Sequence, residues 1–369
     1  MPLVGMACDF MITELLILII SLVLLGLPFM IAFASRLFRE QMNPKPFEPK
    51  ISIIIPAHNE EKNIRSKVLD LLSIDYPKNR SQIIVVDDCS DDRTDDICRR
   101  FRGKIIYKKL SKREGKIGAL NAGMKQAKNN IIVITDADTK IQPDSIRMLV
   151  RNFSSRKIGA VNGNLEIKNH KGLIAMMERD YVNQNNKLLS AESRMGSVVF
   201  LYGQLCAFRK DLIKKIDLKS AVDDIEIALS ILEMGNDVVH ESRAVVFEKP
   251  SSTLHDFYRQ KKRRTVCSME VVFRHMGLLN PRFGAKALSF FSHRVMPFFS
   301  PFLLAIFMYA AASISFYLIA TILLGVLLAS IFKPGFIAHF IFMQVVVIAS
   351  WISFLSGNAP SGASWKHKK

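Results

Sequence analysis

The pattern of apolar and polar positions divides the chain into three parts. From Leu15 to Ala34 runs a 20-residue stretch that is uncharged and almost wholly apolar. As a helix it is long enough to cross about 30 Å of hydrocarbon. A second apolar block extends from Met296 to Leu355 and is interrupted mainly by Lys333, Pro334, Gly335 and His339. Between the two, short β-branched runs alternate with helix-like segments. The strand candidates are Lys50 to Pro56, Gln82 to Asp88, Lys104 to Tyr107, Asn130 to Thr135, Ala160 to Gly163 and Asp237 to His240. Strand–helix–strand alternation predicts an α/β domain with a mostly parallel sheet. Runs that are apolar on both faces predict a sheet covered on both sides.

The first apolar block is preceded by Asp9 and Glu14 rather than by a basic cluster, and no small-residue cleavage site follows it. It reads as a retained spanning helix, not a signal peptide. Arg36, Arg39, Lys45 and Lys50 come next, which places the C-terminal side of that helix, and the central domain with it, in the cytosol. The stretch from Met296 to Phe332 would be about 55 Å long as one helix, nearly twice a bilayer core. It must therefore fold into a hairpin of two short spans or lie partly along the membrane. A cytosolic basic tail, Trp365 to Lys369, requires an even number of spans after the domain, and a third span from Phe336 to Leu355 breaks that parity. Two or three C-terminal spans are expected. The resulting division is a membrane helix within 1–40, a cytosolic domain over 50–250, a basic amphipathic region over 251–295, a membrane region over 296–356 and a basic tail over 357–369.

Composition agrees with a multi-pass cell-membrane protein carrying one globular domain: 49% of the 369 residues are hydrophobic and the mean hydropathy is +0.18. The 51 basic residues outnumber the 33 acidic ones. Crowded on the cytosolic side, they suit anionic lipid headgroups and polyanionic substrates, and the membrane segments argue against nucleic acid. The five cysteines are odd in number and lack metal-ligand spacing, as expected of free thiols in a reducing compartment.

Open α/β sheets bind ligands beyond the carboxyl ends of their strands. Three polar features fall there: Ala57-His58-Asn59-Glu60, Asp87-Asp88 and Asp136-Ala137-Asp138. No G-x-G-x-x-G or Walker A motif is present, which argues against a dinucleotide or P-loop enzyme. Asp136 and Asp138, two residues apart on an extended chain, share one face. Hard carboxylate oxygens so placed suit Mg²⁺ or Mn²⁺ and a phosphate ligand, although a solvated turn has the same composition.

Six segments carry a resemblance: Ser52 to Glu60 (SIIIPAHNE), Val86 to Asp92 (VDDCSDD), Gly115 to Gly123 (GKIGALNAG), Thr135 to Asp138 (TDAD), Ala221 to Leu229 (AVDDIEIAL) and Arg259 to Arg264 (RQKKRR). In this order they resemble the membrane-bound family 2 glycosyltransferases, the inverting class containing cellulose, chitin, hyaluronan and poly-N-acetylglucosamine synthases. The resemblance covers Ile51 to Ser268 and implies a GT-A fold. It implies transfer of sugar from a nucleotide-diphosphate donor, expected to be a UDP-sugar, to a lipid-linked or glycan acceptor at the cytosolic membrane face. Donor-binding positions would be Pro56, Ala57, Glu60, Asp87, Asp88, Lys116, Asp136, Gln260, Arg263 and Arg264. Asp138, with Asp136, would hold the metal. Asp224 would be the catalytic base, beside Asp223, which stands where the family has Glu.

Other readings of the same residues stay open. Asp223 or Asp224 could cap the helix expected over Ile225 to Met234, and Lys116 could be an exposed loop lysine. Gln260, Arg263 and Arg264 fall at i, i+3 and i+4 and share a helix face, which could hold a diphosphate or lie solvated on the membrane surface. Arg264 replaces the tryptophan of processive synthases, removing a surface on which an acceptor sugar could stack. Tyr202 to Arg209 resembles the family's acceptor-lining stretch. The alternatives are a polyprenyl- or dolichyl-phosphate sugar synthase of the same fold and a non-catalytic scaffold of a glycan-export complex.

Overall fold

A computed structural model describes residues 2–35, 46–168, 171–218, 220 and 222–357. Arg36, Arg39, Lys45 and the tail from 358 to 369, on which the cytosolic placement rests, lie outside the described residues.

The apolar runs form a single sheet. Its strands are β1 (Ile51–Ala57), β2 (Ser81–Asp87), β3 (Ile106–Lys109), β4 (Ile131–Ile134), β5 (Lys140–Ile141), β6 (Ile158–Ile167), β7 (Cys206–Arg209) and β8 (Asp237–Glu248), in the order β3-β2-β1-β4-β7-β6-β8-β5. The half built from β3, β2, β1 and β4 is wholly parallel, as the alternation predicts. β7 runs antiparallel to both β4 and β6, and β8 returns parallel to β6. The sheet is mixed and mostly parallel. Every residue of β1 is buried, because a central strand is covered on both faces.

The helices of the domain are α2 (Ile64–Leu72), α3 (Thr94–Arg99), α4 (Gly115–Gln126), α5 (Ser145–Val150), α6 (Leu173–Arg194), α7 (Asp223–Glu233) and α8 (Leu254–Arg274). α4 packs on β1 and β2. Gly123 permits this closeness: a Cβ there would sit 2.5 Å from Ile54 Cγ2.

The apolar blocks form α1 (Pro2–Ala34), α9 (Ala285–Phe290), α10 (Met296–Ile314), α11 (Phe316–Phe332) and α12 (Pro334–Leu355). A π-turn, Phe291–Val295, joins α9 to α10 in one rod. The stretch too long for one helix breaks at Ser315, whose backbone is extended at φ −167°, ψ 134°. Among the described residues, three helical segments are long and apolar enough to cross a membrane, Met11–Pro28, Ala285–Ile314 and Pro334–Leu355, while the apolar stretch Tyr317–Leu328 in α11 is shorter.

Candidate active site

The ends of β1, β2 and β4 meet at one edge, so the three polar features of the sequence do converge. Each then does something different. Asp87 and Asp88 are fully buried. Asp87 accepts from Ser90 N–H at 2.8 Å and from the Tyr107 hydroxyl at 2.7 Å. Asp88 accepts from the amides of Glu114 and Gly115 at 2.6 and 2.8 Å, clamping the start of α4 where the helix dipole favours a carboxylate. Each carboxylate thus accepts two hydrogen bonds from within the protein and keeps acceptor capacity for others. Pro56 and Ala57 are buried strand residues paired with Val86 and Asp87.

Asp136 and Asp138 lie in a turn between β4 and β5, not on a strand, so strand alternation is not what orients them. Both act on Glu60 nonetheless. Burial, with the charges of Asp138, Asp136 and Asp92 added, pushes the Glu60 carboxyl up to about 7 against the opposing bond from Asn63. Carboxylates gathered in this way suit a hard divalent cation. Among the described residues no cluster of three or more His, Cys, Asp or Glu side chains is arranged to hold a metal. Two carboxylates with the remaining positions left to phosphate oxygens is the usual manner of Mg²⁺ with nucleotides.

Lys116 is not a loop lysine. It lies in the first turn of α4 with its amine 2.9 Å from Asp136 Oδ1 and 3.5 Å from Asp223 Oδ2. Burial works to lower its pKa, but Asp136 and Asp223 outweigh it and raise the value. Asp223 and Asp224 open α7, whose N-cap is Val222, so neither aspartate caps it. The Asp223 carboxyl is pushed up to about 6, by burial first and by Asp224 and Asp136 next, with Lys116 opposing. Its Oδ2 is buried without a hydrogen bond. Gly203 closes this cluster: a side chain there would lie 2.9 Å from Lys116 Nζ, 3.7 Å from Asp224 Oδ2 and 4.0 Å from Asp136 Oδ2. Only a glycine leaves that space open.

From this cluster a cavity of about 410 Å³ leads to the apolar helices. Asp224, Gln204, Glu248, Gln260 and Arg264 line its polar part, and α1, α10 and α12 contribute Leu25, Leu303 and Phe340 among others. The expected face on α8 splits. Gln260 and Arg264 line the cavity, and the charge of Arg264 is supported, against burial, by Glu248, Asp224 and Asp136. Arg263 is not among the lining residues, and burial, with the charge of Arg264 added, lowers its pKa. Arg294 also opens on the cavity with its guanidinium 4.1 Å from the centre of the Phe200 ring.

Glu248 and Arg294 carry no motif, and neither does a third residue beside the Asp136–Asp138 turn. Lys67 on α2 is 1% exposed. Its amine donates to Thr135 Oγ1 at 2.7 Å and to the carbonyl and hydroxyl of Thr139, each at 3.1 Å, gripping both ends of the Asp136–Asp138 turn. The available signal was its place in an apolar stripe, Ile64, Lys67, Val68 and Leu71, at i, i+3, i+4 and i+7.

Residues 52–217 match the family described as Glycosyl transferase family 2. The chain is 30% identical over 230 residues to the probable glycosyltransferase YdaM of Bacillus subtilis, covering 58% of this chain and 54% of that one. It is 26% identical over 231 residues to a poly-beta-1,6-N-acetyl-D-glucosamine synthase of Staphylococcus epidermidis, covering 61% and 56%. The chain thus spans little more than half the length of these curated relatives. Among solved structures it resembles the mannosyltransferase PcManGT of Pyrobaculum calidifontis, in complex with GDP-Man and Mn²⁺, with a TM-score of 0.71 and 24% identity over 92% of this chain and 98% of that one. That likeness shows a GT-A-like fold.

Proposed function

We propose that this chain, which carries a glycosyl transferase family 2 domain over residues 52–217, transfers a sugar with inversion from a nucleotide-diphosphate donor to a lipid-linked acceptor. The observation that carries the reading is the convergence of Lys116, Asp136, Asp223 and Asp224 around Gly203, at the head of a cavity that continues between apolar helices. A water-borne acceptor needs no such passage.

In this reading the donor diphosphate lies against the Asp136–Asp138 turn. A bound Mg²⁺ or Mn²⁺, held by Asp138 and Asp136, would supply Lewis-acid stabilisation of charge on the leaving diphosphate. GDP-Man and Mn²⁺ in the structural neighbour support that donor class and metal. Lys116 fixes Asp136 and sets a positive charge beside the donor. Gln260 and Arg264 hold the leaving group, Arg264 through charge-assisted hydrogen bonds. Asp223 Oδ2, which has the Lys116 ion pair at 3.5 Å but no hydrogen bond, accepts a hydroxyl of the bound sugar. Asp224 takes the proton from the acceptor hydroxyl as it attacks the anomeric carbon, and the single displacement inverts that centre. The domain then sits at the cytosolic face of a multi-pass membrane protein.

The test is a screen of radiolabelled UDP- and GDP-sugars against membranes containing the chain, with extraction into organic and aqueous phases. Label should enter the organic phase, stop on chelation with EDTA and return with Mg²⁺ or Mn²⁺. Label found only in aqueous polymer would make the acceptor a glycan. Nucleotide binding without transfer to any extract would leave a non-catalytic scaffold.

A further inference from the structure

α12 has the length and composition of a spanning helix: 22 residues with a mean hydropathy of 2.0. Its contacts are those of another kind of helix. Near its start, Gly335 packs so closely on α6 that a Cβ would meet Asp180 Oδ2 at 2.5 Å and Met176 Cγ at 2.7 Å. One turn on, His339 stacks on Tyr181 of α6 with centroids 4.3 Å apart, and Phe342 stacks on Phe257 of α8 at 4.8 Å. Near its end, Trp351 and Phe354 lie 5.9 and 5.6 Å from Phe273, again on α8. From Gly335 to Phe354 the helix axis runs about 28 Å, and the helix touches the catalytic domain at both ends and between them.

A helix crossing the bilayer beside a globular domain meets it with one end. α8 cannot follow α12 into hydrocarbon, because it carries Arg259, Lys261, Lys262, Arg263, Arg264, Glu270 and Arg274, each costly at the bilayer centre. The contacts with α10 agree. Trp351 donates to the Phe298 carbonyl at 2.8 Å and packs on Phe299 and Phe302, while Ser300 donates to Gln344 at 3.0 Å. All of these partners fall in the first two turns of α10, the end nearest the domain. The opposite face of α12 bears Ile341, Val345, Ile348, Ile352 and Leu355 at helical spacing, each between 46% and 76% exposed. Exposed apolar side chains also mark α1, with Leu15, Leu16, Ile19 and Ile20, and α10, with Phe302, Ile306 and Tyr309.

We infer that α12 does not cross the membrane but lies in its plane, packed by one face on α6 and α8, with the Ile341–Leu355 stripe seated in the leaflet nearest the domain. The partner of this surface is lipid. Because α12 also lines the cavity through Phe336, His339, Phe340 and Met343, that cavity opens sideways at the level of one leaflet. The placement rests on packing alone and holds whether or not the chain transfers sugar.

The test uses the full chain in lipid bilayers, with nitroxide labels on Ile341→Cys, Ile348→Cys and Leu355→Cys in turn and the signal of identically treated wild-type chain subtracted. Depth is read from the ratio of oxygen to polar-reagent accessibility, with Tyr309→Cys on α10 as the deep reference. An in-plane helix places all three labels within 10 Å of one depth, shallower than the reference and about 5–10 Å below the headgroups. A spanning helix spreads Ile341 and Leu355 by about 21 Å. A monotonic spread above roughly 10 Å overturns the inference, and so do labels quenched as strongly by the polar reagent as in water.

Discussion

Replacing Lys67 by Met removes a buried cation while keeping the shape of its stem, and the structure sets what should follow. Burial lowers the pKa of this amine from 10.5 to about 8, with Asp136, Asp70 and Asp138 opposing. At about 1.4 kcal/mol per pH unit, the charged form in the folded protein costs about 3 kcal/mol. Three neutral oxygens accept hydrogen bonds from the amine. In the substituted protein the Thr135 and Thr139 hydroxyls keep their own acceptors, the carbonyls of Gln204 and Asp136. The lost hydrogen bonds should then cost only about 1–2 kcal/mol. Lys67→Met is expected to leave stability at pH 7 unchanged or raised by about 1–2 kcal/mol.

The pH dependence gives the sharper readout. An unfolded lysine holds its proton to about 10.5 and the folded one releases it near 8, so between these values the unfolded chain binds more protons and wild-type stability rises with pH. From pH 7 to 9.5 the rise from this group is about 2 kcal/mol. Denaturant unfolding in detergent at the two pH values, for wild type and Lys67→Met side by side, isolates that contribution from other titrating groups. Transfer should fall about tenfold or more in the variant, since the turn bearing Asp136 and Asp138 loses its grip and small misplacements at a reacting centre are costly. Parallel stability profiles, or undiminished transfer, would refute the assignment.

Three further outcomes are expected. Asp224→Asn should lower the transfer rate by about 10² to 10⁴ with donor affinity near wild type by calorimetry; a near-normal rate would move the base to Asp223. Arg264→Ala should weaken nucleotide-diphosphate binding about tenfold or more, while Arg263→Ala, which does not line the cavity, should leave it within about twofold. Gly203→Ala should cut transfer without unfolding the chain, because the new methyl meets the flexible Lys116 amine at 2.9 Å and displaces it from Asp136; an unchanged rate would show that this contact is dispensable.

The parallel half of the sheet was legible because its strands are continuous β-branched runs ending in polar turns. β6 and β8 extend well past their apolar starts, Ala160 to Gly163 and Asp237 to His240, since Asn164, Glu166, Glu241 and Arg243 interrupt the pattern while the backbone goes on pairing. β5 is two residues long and carries no periodic signal. Asp87 and Asp88 show a limit of a different kind. An aspartate that clamps a helix amide reads in sequence like one in an open turn, and only the positions of Glu114, Gly115, Ser90 and Tyr107 reveal the internal hydrogen bonds.

Helical spacing has a comparable blind spot on α8. Positions i, i+3 and i+4 span roughly a 100° arc, wide enough that a neighbouring wall admits some members and excludes others. The wall here comes from elsewhere in the chain: Glu248 at the end of β8, Asp224 on α7 and the apolar helices α1, α10 and α12, which together open the cavity beside Gln260 and Arg264. Arg263, about 100° round the helix from Arg264, does not line that cavity. The same reasoning explains Lys67 and α12. Apolar spacing announces that a face is buried, but not that a cation can be buried there on threonine oxygens, nor that 22 apolar residues are covered on one side by a charged domain. Each of these is decided by what the remote chain brings to that face, and at both places the remote partner determines the chemistry available.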